Sequence, residues 1–140
     1  MELNIGMSAS ISKTISENDI LNFADLVGDY NSVHLDEEKA KESIFGRRIA
    51  HGMLVGSLIS SVIGTKLPGD GTIYLEQNLK FQRPIYISDT ITALVTVNEI
   101  LNEKKGIYRL DTVVMNQNEE VVINGYAIVK KQTHYFEKEV

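Results

Sequence analysis

Two residues with acid–base chemistry stand five positions apart in one short polar segment. Asp29 and His34 lie within Gly-Asp-Tyr-Asn-Ser-Val-His-Leu-Asp, residues 28–36. A carboxylate and an imidazole that share a water molecule can remove one proton and supply another, which is general acid–base catalysis. The carboxylate is expected to stay charged and to raise the pKa of the imidazole. Asn31 is expected to hold the segment through bonds from its side chain to nearby backbone.

The same segment also has an ordinary structural interpretation. Asp, Asn and Ser are common loop and capping residues. One Asp/His pair in a loop is more often structural than catalytic, so the pair alone does not establish an activity.

A second segment that could take part in catalysis is Arg-Arg-Ile-Ala-His-Gly-Met, residues 47–53. It leads into an uncharged helix, whose first N–H groups have no partner within the helix and carry the positive end of its dipole. Because Gly52 has no side chain to obstruct a ligand, a carbonyl oxygen that gains negative charge would be stabilised there. The alternatives are that Gly52 only permits close packing and that His51 is only a polar residue at the helix start.

The elements that must position these residues are partly helical. Ser16 and the acids after it predict the start of a first helix that ends at Gly28, and Asp36 is the expected N-cap of a second, short helix. A first strand is predicted over residues 7–15. The segment Gly52–Gly64 contains no charge and is expected to be a helix buried on most of its sides. Within it, Ser57 is expected to bond to its own backbone.

The remainder of the chain reads as β-structure. Apolar residues alternate with polar ones over residues 73–81 and 91–97, and two further runs follow at 107–115 and 121–130. Turn-forming residues separate these runs. The pattern predicts a single α+β domain over residues 1–140, with an antiparallel sheet of about five strands curled around a central buried helix. The last four strands are expected to form a meander.

Composition excludes several classes of protein. The 14 Lys and Arg against 19 Asp and Glu leave a net charge of −5, which argues against a nucleic-acid binder. The absence of cysteine rules out disulfides, thiol nucleophiles and thiolate metal sites, and three histidines argue against structural zinc. The N-terminus lacks a signal-peptide pattern and the longest apolar stretch is too short to cross a bilayer. We therefore expect a cytoplasmic protein without membrane or nucleic-acid partners. No role follows from the tail, Gln132–Val140, for which a strand extension and disorder are both open.

Four segments together resemble the (R)-specific enoyl-CoA hydratases, the MaoC-like dehydratase branch of the hot-dog superfamily. They span residues 29–36, 50–54, 67–69 and 74–85, and the resemblance extends over roughly residues 16–130. The Asp-x-Asn-x-x-His core is specific when His-Gly follows at this distance. One position departs from the family pattern, because Ser32 stands where proline is usual, but no reacting group is lost.

The resemblance implies a curved antiparallel sheet wrapped round a central helix, and dimers with active sites at the interface. It implies reversible syn hydration of a trans-2-enoyl-CoA to the (R)-3-hydroxyacyl-CoA, without a metal or other cofactor. Asp29 and His34 match the catalytic pair, Gly52 the oxyanion-hole glycine and Ser60 a supporting serine. Asp29 is expected to take the proton of the water and His34 to supply or relay one to carbon, with the division between the two left open.

Further expectations concern the substrate and rival functions. His51 and Met53 are candidate substrate-binding residues. The candidates for binding the phosphates of CoA are Arg47, Arg48, Lys80 and Arg83. Three rival functions remain open: hydrolysis of acyl-CoA thioesters, dehydration of 3-hydroxyacyl groups on acyl carrier protein, and binding of acyl-CoA without catalysis. The acidic charge of the chain disfavours an acidic carrier protein.

Overall fold

The computed structural model describes residues 2–131, and the tail Gln132–Val140 lies outside these described residues. The elements in chain order are β1 (Ser8–Thr14), α1 (Glu17–Val27), α2 (Ser32–Leu35), α3 (Glu37–Glu42), α4 (Gly52–Thr65), β2 (Thr72–Gln77), β3 (Lys80–Phe81), β4 (Thr90–Asn102), β5 (Ile107–Met115) and β6 (Val121–Lys131).

All strands belong to one antiparallel sheet, in the order β1-β4-β5-β6-β2, with the two-residue β3 also paired to β6. The predicted α+β class and the sheet of about five main strands are confirmed. The predicted four-strand meander is wrong, because only β4, β5 and β6 follow one another as hairpins. The chain leaves β3 and crosses to β4, which pairs with β1 at the other side of the sheet.

Alternation along the strands predicts burial well where a strand is central. Along β4, Ile91, Ala93, Val95 and Val97 are all buried, as their spacing predicts. The predicted single run over residues 73–81 is instead divided into β2 and β3. A register shift between Tyr74 and Glu76 interrupts its pairing with β6. Leu75, which lies at this shift, and Phe81, which lies on the separate strand β3, are exposed although the alternation places both in the core.

The helix ends lie where capping residues predict them. Ser16 accepts a bond from the Asp19 N–H while the Asp19 side chain accepts from the Ser16 N–H, which is a capping box. Gly28 ends α1 in the left-handed conformation, with φ of 80°. Asp36 caps α3 by accepting from the Lys39 N–H.

The helix α4 packs against the sheet through one face only. That face carries Val55, Gly56, Ile59, Val62 and Ile63. The expectation that α4 is buried on most sides is wrong for the single chain, because the serines and the small residues between these positions face outward. Ser57 donates to the carbonyl of Leu54, as expected for a helical serine. Within residues 2–131, no helix has the length and apolar composition needed to cross a membrane.

Candidate active site

Local hydrogen bonds shape the loop that joins α1 to α2. The Asp29 carboxylate accepts from the Asn31 N–H at 3.1 Å, and the Asn31 side-chain oxygen accepts from the Val33 N–H at 3.2 Å. The bond predicted for Asn31 is therefore present, and it caps the short helix α2. These bonds leave Asp29 exposed at the turn, while His34 lies on the inner side of α2.

The imidazole of His34 is buried and held in one tautomer. Its Nδ1–H donates to the carbonyl of Ile49 at 2.8 Å, so a neutral ring carries its free lone pair on Nε2. Burial lowers the pKa of His34, and the nearby His51 ring lowers it further. The bond to Ile49 and the charge of Asp29 act in the opposite direction but do not compensate. Asp29 does raise the pKa of His34, as predicted, but the net shift is a lowering, because the loss of hydration on burial outweighs the attraction to an exposed carboxylate.

His51 contacts both candidate catalytic residues, Asp29 and His34. Its side chain is 2% exposed, and its Nε2–H donates to the backbone carbonyl of Asp29 at 3.0 Å. The His51 ring stacks on that of His34, with 3.9 Å between centroids, and also contacts Phe23. Although His51 is the N-cap residue of α4, its side chain makes no capping bond. The Nδ1 atom is buried without a partner.

Arg48 anchors His34 in a comparable way. Its Nε–H donates to the His34 carbonyl at 2.7 Å, and its Nη1 bonds to the Glu17 carboxylate at 2.6 Å. The side chain is only 9% exposed. Its burial and its bond to Glu17 remove Arg48 from the candidates for binding CoA phosphates. This anchoring role was not foreseen, because nothing in the local sequence distinguishes Arg48 from Arg47.

A cavity of about 360 Å³ opens beside His34. Its wall is mostly apolar and is formed by His34, Phe45, Ile49, Ala50, Gly52, Val55, Phe81, Gln82, Arg83, Pro84, Ile85 and Ile123. Gly52 stands at the first position of α4, where its N–H has no partner within the helix. A Cβ atom on Gly52 would lie 2.7 Å from Cε1 of Phe81, so any larger residue requires that ring to move. The arrangement places a free helix N-terminus and an imidazole at one apolar cavity.

The remaining predicted site residues lie elsewhere. His51 lies behind His34 and is not among the cavity-lining residues. Met53 is 59% exposed and does not line the cavity either. Ser60 is on the exposed face of α4, eight residues and about 12 Å along the helix axis from Gly52. The structure places His34 and Gly52 at the cavity, with Asp29 beside His34 and Asn31 bonded to Asp29, although neither Asp29 nor Asn31 is among the lining residues. Met53 and Ser60 lie apart from this group, and their roles stay predictions.

Asp29, His34 and His51 also form the one potential metal-ligand group found among residues 2–131. One ligand atom from each lies within 4.8 Å of the others. However, Nδ1 of His34 and Nε2 of His51 each bond to a backbone carbonyl, which leaves one ring nitrogen on each histidine. A zinc ion needs lone pairs that converge on one point. Hydrogen bonds to the backbone and the ring stack account for the proximity of these three side chains, so their grouping does not by itself indicate a metal site.

The chain matches known proteins over most of its length. Residues 3–122 match the family described as MaoC like domain. An (R)-specific enoyl-CoA hydratase of Rhodospirillum rubrum is 48% identical over 129 residues, which cover 91% of this chain and 88% of that protein. A 3-hydroxybutyryl-CoA dehydratase of Methylorubrum extorquens is 40% identical, with 92% and 81% covered.

A solved structure agrees with these matches. The (R)-hydratase from A. caviae, described as involved in PHA biosynthesis, superposes with a TM-score of 0.89 at 40% sequence identity. The match covers 93% of this chain and 98% of that one. The shared architecture confirms the predicted hot-dog fold.

Proposed function

The chain belongs to the MaoC-like domain family, and on that premise we propose that it is an (R)-specific enoyl-CoA hydratase. The reaction is the reversible syn addition of water to a trans-2-enoyl-CoA, which gives the (R)-3-hydroxyacyl-CoA. The observation that carries the proposal is an apolar cavity lined by both the His34 imidazole and Gly52 at the N-terminus of α4. The relatives named as hydratases and as a dehydratase of CoA thioesters support it.

Substrate polarisation is assigned to Gly52. The thioester carbonyl oxygen would accept from the Gly52 N–H, where the dipole of α4 adds positive potential. As negative charge develops on that oxygen, the β-carbon becomes electrophilic. The acyl chain would occupy the apolar part of the cavity.

Proton transfer is assigned to His34 and Asp29. The lowered pKa of His34 keeps its ring neutral at pH 7, with Nε2 free to accept a proton. Nε2 takes a proton from water as the water oxygen bonds to the β-carbon, and the π electrons move to the thioester oxygen. The imidazolium then returns the proton to the α-carbon on the same face, which gives syn addition. Asp29 orients the water and stabilises the imidazolium. This reverses the expected division, in which Asp29 accepts the proton.

The proposal includes a homodimer or higher homo-oligomer in the cytoplasm, with acyl-CoA as substrate and no metal or other cofactor. The strand β2 is at one end of the sheet order, and Tyr74 and Leu75 on it are exposed. Exposed strand edges favour pairing with another chain. Light scattering coupled to size-exclusion chromatography tests this part: a mass near 31 kDa, twice the 15.7 kDa of one chain, supports a dimer.

The decisive assay follows loss of enoyl-thioester absorbance on adding crotonyl-CoA, with chiral analysis of the product and a free-thiol assay. An (R)-3-hydroxybutyryl-CoA product without thiol release supports hydration. Thiol release would favour a thioesterase, and turnover only with carrier-protein thioesters would favour the carrier-protein dehydratase. Binding of acyl-CoA without turnover would favour the non-catalytic module.

Two substitutions test the assigned residues while preserving their structural bonds. Asp29→Asn retains an oxygen that can accept from the Asn31 N–H. His34→Asn retains a donor for the Ile49 carbonyl but removes Nε2. Each is expected to lower kcat by about 10²- to 10⁴-fold, the usual contribution of a general acid or base. Near-normal turnover in both variants would refute the assignment.

A further inference from the structure

A second cleft of about 320 Å³ adjoins the candidate active-site cavity. Arg83 and Pro84 line both spaces, so the two are contiguous. Unlike the apolar cavity, this cleft is mostly polar. Its lining includes two arginines, two carboxylates, an aromatic ring and several amides: Arg47, Arg83, Asp89, Glu120, Tyr86, Asn116, Gln117 and Asn118. A ligand that enters the cavity with its apolar end can therefore place a polar, negatively charged portion in the cleft.

Arg47 is a preorganised cation in this cleft. Its guanidinium carbon lies 3.9 Å from the centroid of the Tyr86 ring, and the Tyr86 hydroxyl donates to the Phe45 carbonyl at 3.3 Å. Among residues 2–131, no carboxylate oxygen lies within 4.0 Å of the Arg47 nitrogens. Stacking holds the plane of the guanidinium but leaves its N–H groups free for an oxyanion.

Arg83 has a partner that an anionic ligand can displace. Its Nη1 lies 3.3 Å from Oε2 of Glu120, and both side chains are about half exposed. Such exposed pairs contribute little to stability. Glu120 also accepts from the Asn116 amide at 3.0 Å, a bond that it keeps if Arg83 turns to a ligand. The other carboxylate of the cleft, Asp89, already accepts from Gln117 and from the Tyr86 N–H.

We propose that this cleft binds the phosphate groups of the CoA carrier through Arg47 and Arg83 while the acyl thioester occupies the adjoining cavity. The inference rests on the proposed function, since it names the part of the substrate that lies outside the cavity. Guanidinium groups bind phosphate oxygens through paired N–H donors. The phosphate of a carrier-protein arm has the same chemistry, but the two relatives described above are named for CoA thioesters, so CoA is the favoured source.

The test compares two substrates that share a thioester and differ in phosphate. Crotonyl-CoA carries the phosphates, and crotonyl-N-acetylcysteamine has none. Arg47→Gln and Arg83→Gln are each expected to raise KM for crotonyl-CoA by about 10-fold or more, the usual contribution of a charged hydrogen bond. Arg47→Gln should leave kcat/KM for crotonyl-N-acetylcysteamine within about twofold of the wild type. Arg83 also lines the cavity, so Arg83→Gln should lower kcat/KM for crotonyl-N-acetylcysteamine less than it lowers kcat/KM for crotonyl-CoA. Glu120→Gln frees Arg83 and should lower KM for crotonyl-CoA.

Arg109→Gln is the matched control. Arg109 also stacks on a tyrosine, with its guanidinium carbon 4.1 Å from the Tyr126 centroid, but it lies on β5 and not in the cleft. This variant removes the same charge and should leave KM for both substrates unchanged. An equal rise in KM from Arg109→Gln would show that KM responds to the net charge of the protein and not to the cleft.

Titration calorimetry with free CoA separates this inference from the proposed function. One outcome is that the wild type hydrates neither thioester and yet binds CoA in a manner that depends on Arg47 and Arg83. This outcome would support the proposed phosphate site and refute the proposed hydratase activity. Two outcomes overturn the cleft: a double variant that binds CoA within about twofold of the wild type, or equal losses with both substrates. If the Arg47 and Arg83 variants lose kcat/KM only with a crotonyl carrier-protein substrate, the cleft binds the phosphate of the carrier-protein arm, and the assignment to CoA is refuted.

Discussion

Replacement of His51 separates catalysis from stability. The His51 ring lies outside the cavity wall but bonds to the Asp29 carbonyl and stacks on His34. His51→Leu keeps a similar volume and removes both nitrogens. It does not remove a helix cap, because the His51 side chain makes no capping bond.

Two opposing contributions determine the stability of this variant. Loss of the bond from Nε2 to the Asp29 carbonyl costs about 0.5–1.5 kcal/mol. Removal of Nδ1, which is buried without a partner, relieves about 1–3 kcal/mol. The free energy of unfolding should therefore lie between about 0.5 kcal/mol below and about 2.5 kcal/mol above that of the wild type, provided that the carbonyl of the exposed residue Asp29 bonds to water instead.

Catalysis should change far more. Without this bond, Asp29 is positioned only by its own loop, and misplacement of a reacting group by about 1 Å can cost 10²-fold in rate. We expect kcat for crotonyl-CoA to fall about 10²-fold, which is about 2.7 kcal/mol in activation free energy. KM should change little. His51→Gln, which retains a donor for the Asp29 carbonyl, should recover to within about tenfold of the wild type.

The assay pairs steady-state kinetics with thermal unfolding of each variant. Ile63→Val is the control, because it truncates a buried side chain of α4 away from the site. It should cost about 0.5–1.5 kcal/mol of stability and leave kcat unchanged. The reasoning is refuted if His51→Leu keeps kcat within threefold of the wild type, or if its activity falls only in proportion to unfolded protein. If His51→Gln is as slow as His51→Leu, the ring stack, and not the bond, positions the pair.

Three further predictions address other contacts. In a profile of kcat/KM against pH, the midpoint of the acid limb should lie below pH 6.5, because burial lowers the pKa of His34 and protonation removes the free lone pair on Nε2. A midpoint above pH 6.5 would contradict this prediction. Gly52→Ala retains the N–H but places a Cβ 2.7 Å from Phe81, so kcat/KM should fall at least tenfold. Activity should recover in part when Phe81→Ala is added. No recovery would indicate that the loss has a cause other than contact with Phe81. Arg48→Met should lower the melting temperature by several degrees, because it leaves the His34 carbonyl without its buried donor. Glu17→Gln should lower it less, because Glu17 is 59% exposed. Equal effects from the two substitutions would argue against a buried anchor.

Much of the fold follows from the sequence because its signals are local. Ser16, Gly28 and Asp36 cap their helices through bonds to residues within four positions. Strand β4 alternates because every second side chain meets the same core. The division of the run over residues 73–81 was not predictable in this way, since it depends on a register shift against β6, which lies about fifty residues later.

The reactive groups follow from the sequence alone: a carboxylate and an imidazole in one short polar segment, followed by a glycine at the start of an uncharged helix. Their arrangement in space depends on contacts between segments that are distant along the chain. The bonds from His51 to Asp29 and from Arg48 to His34 join residues 22 and 14 positions apart. Burial of His34 by distant residues reverses the direction of its pKa shift. Hydration depends on every group packed around a side chain, so its effect on charge is decided only when the chain has folded.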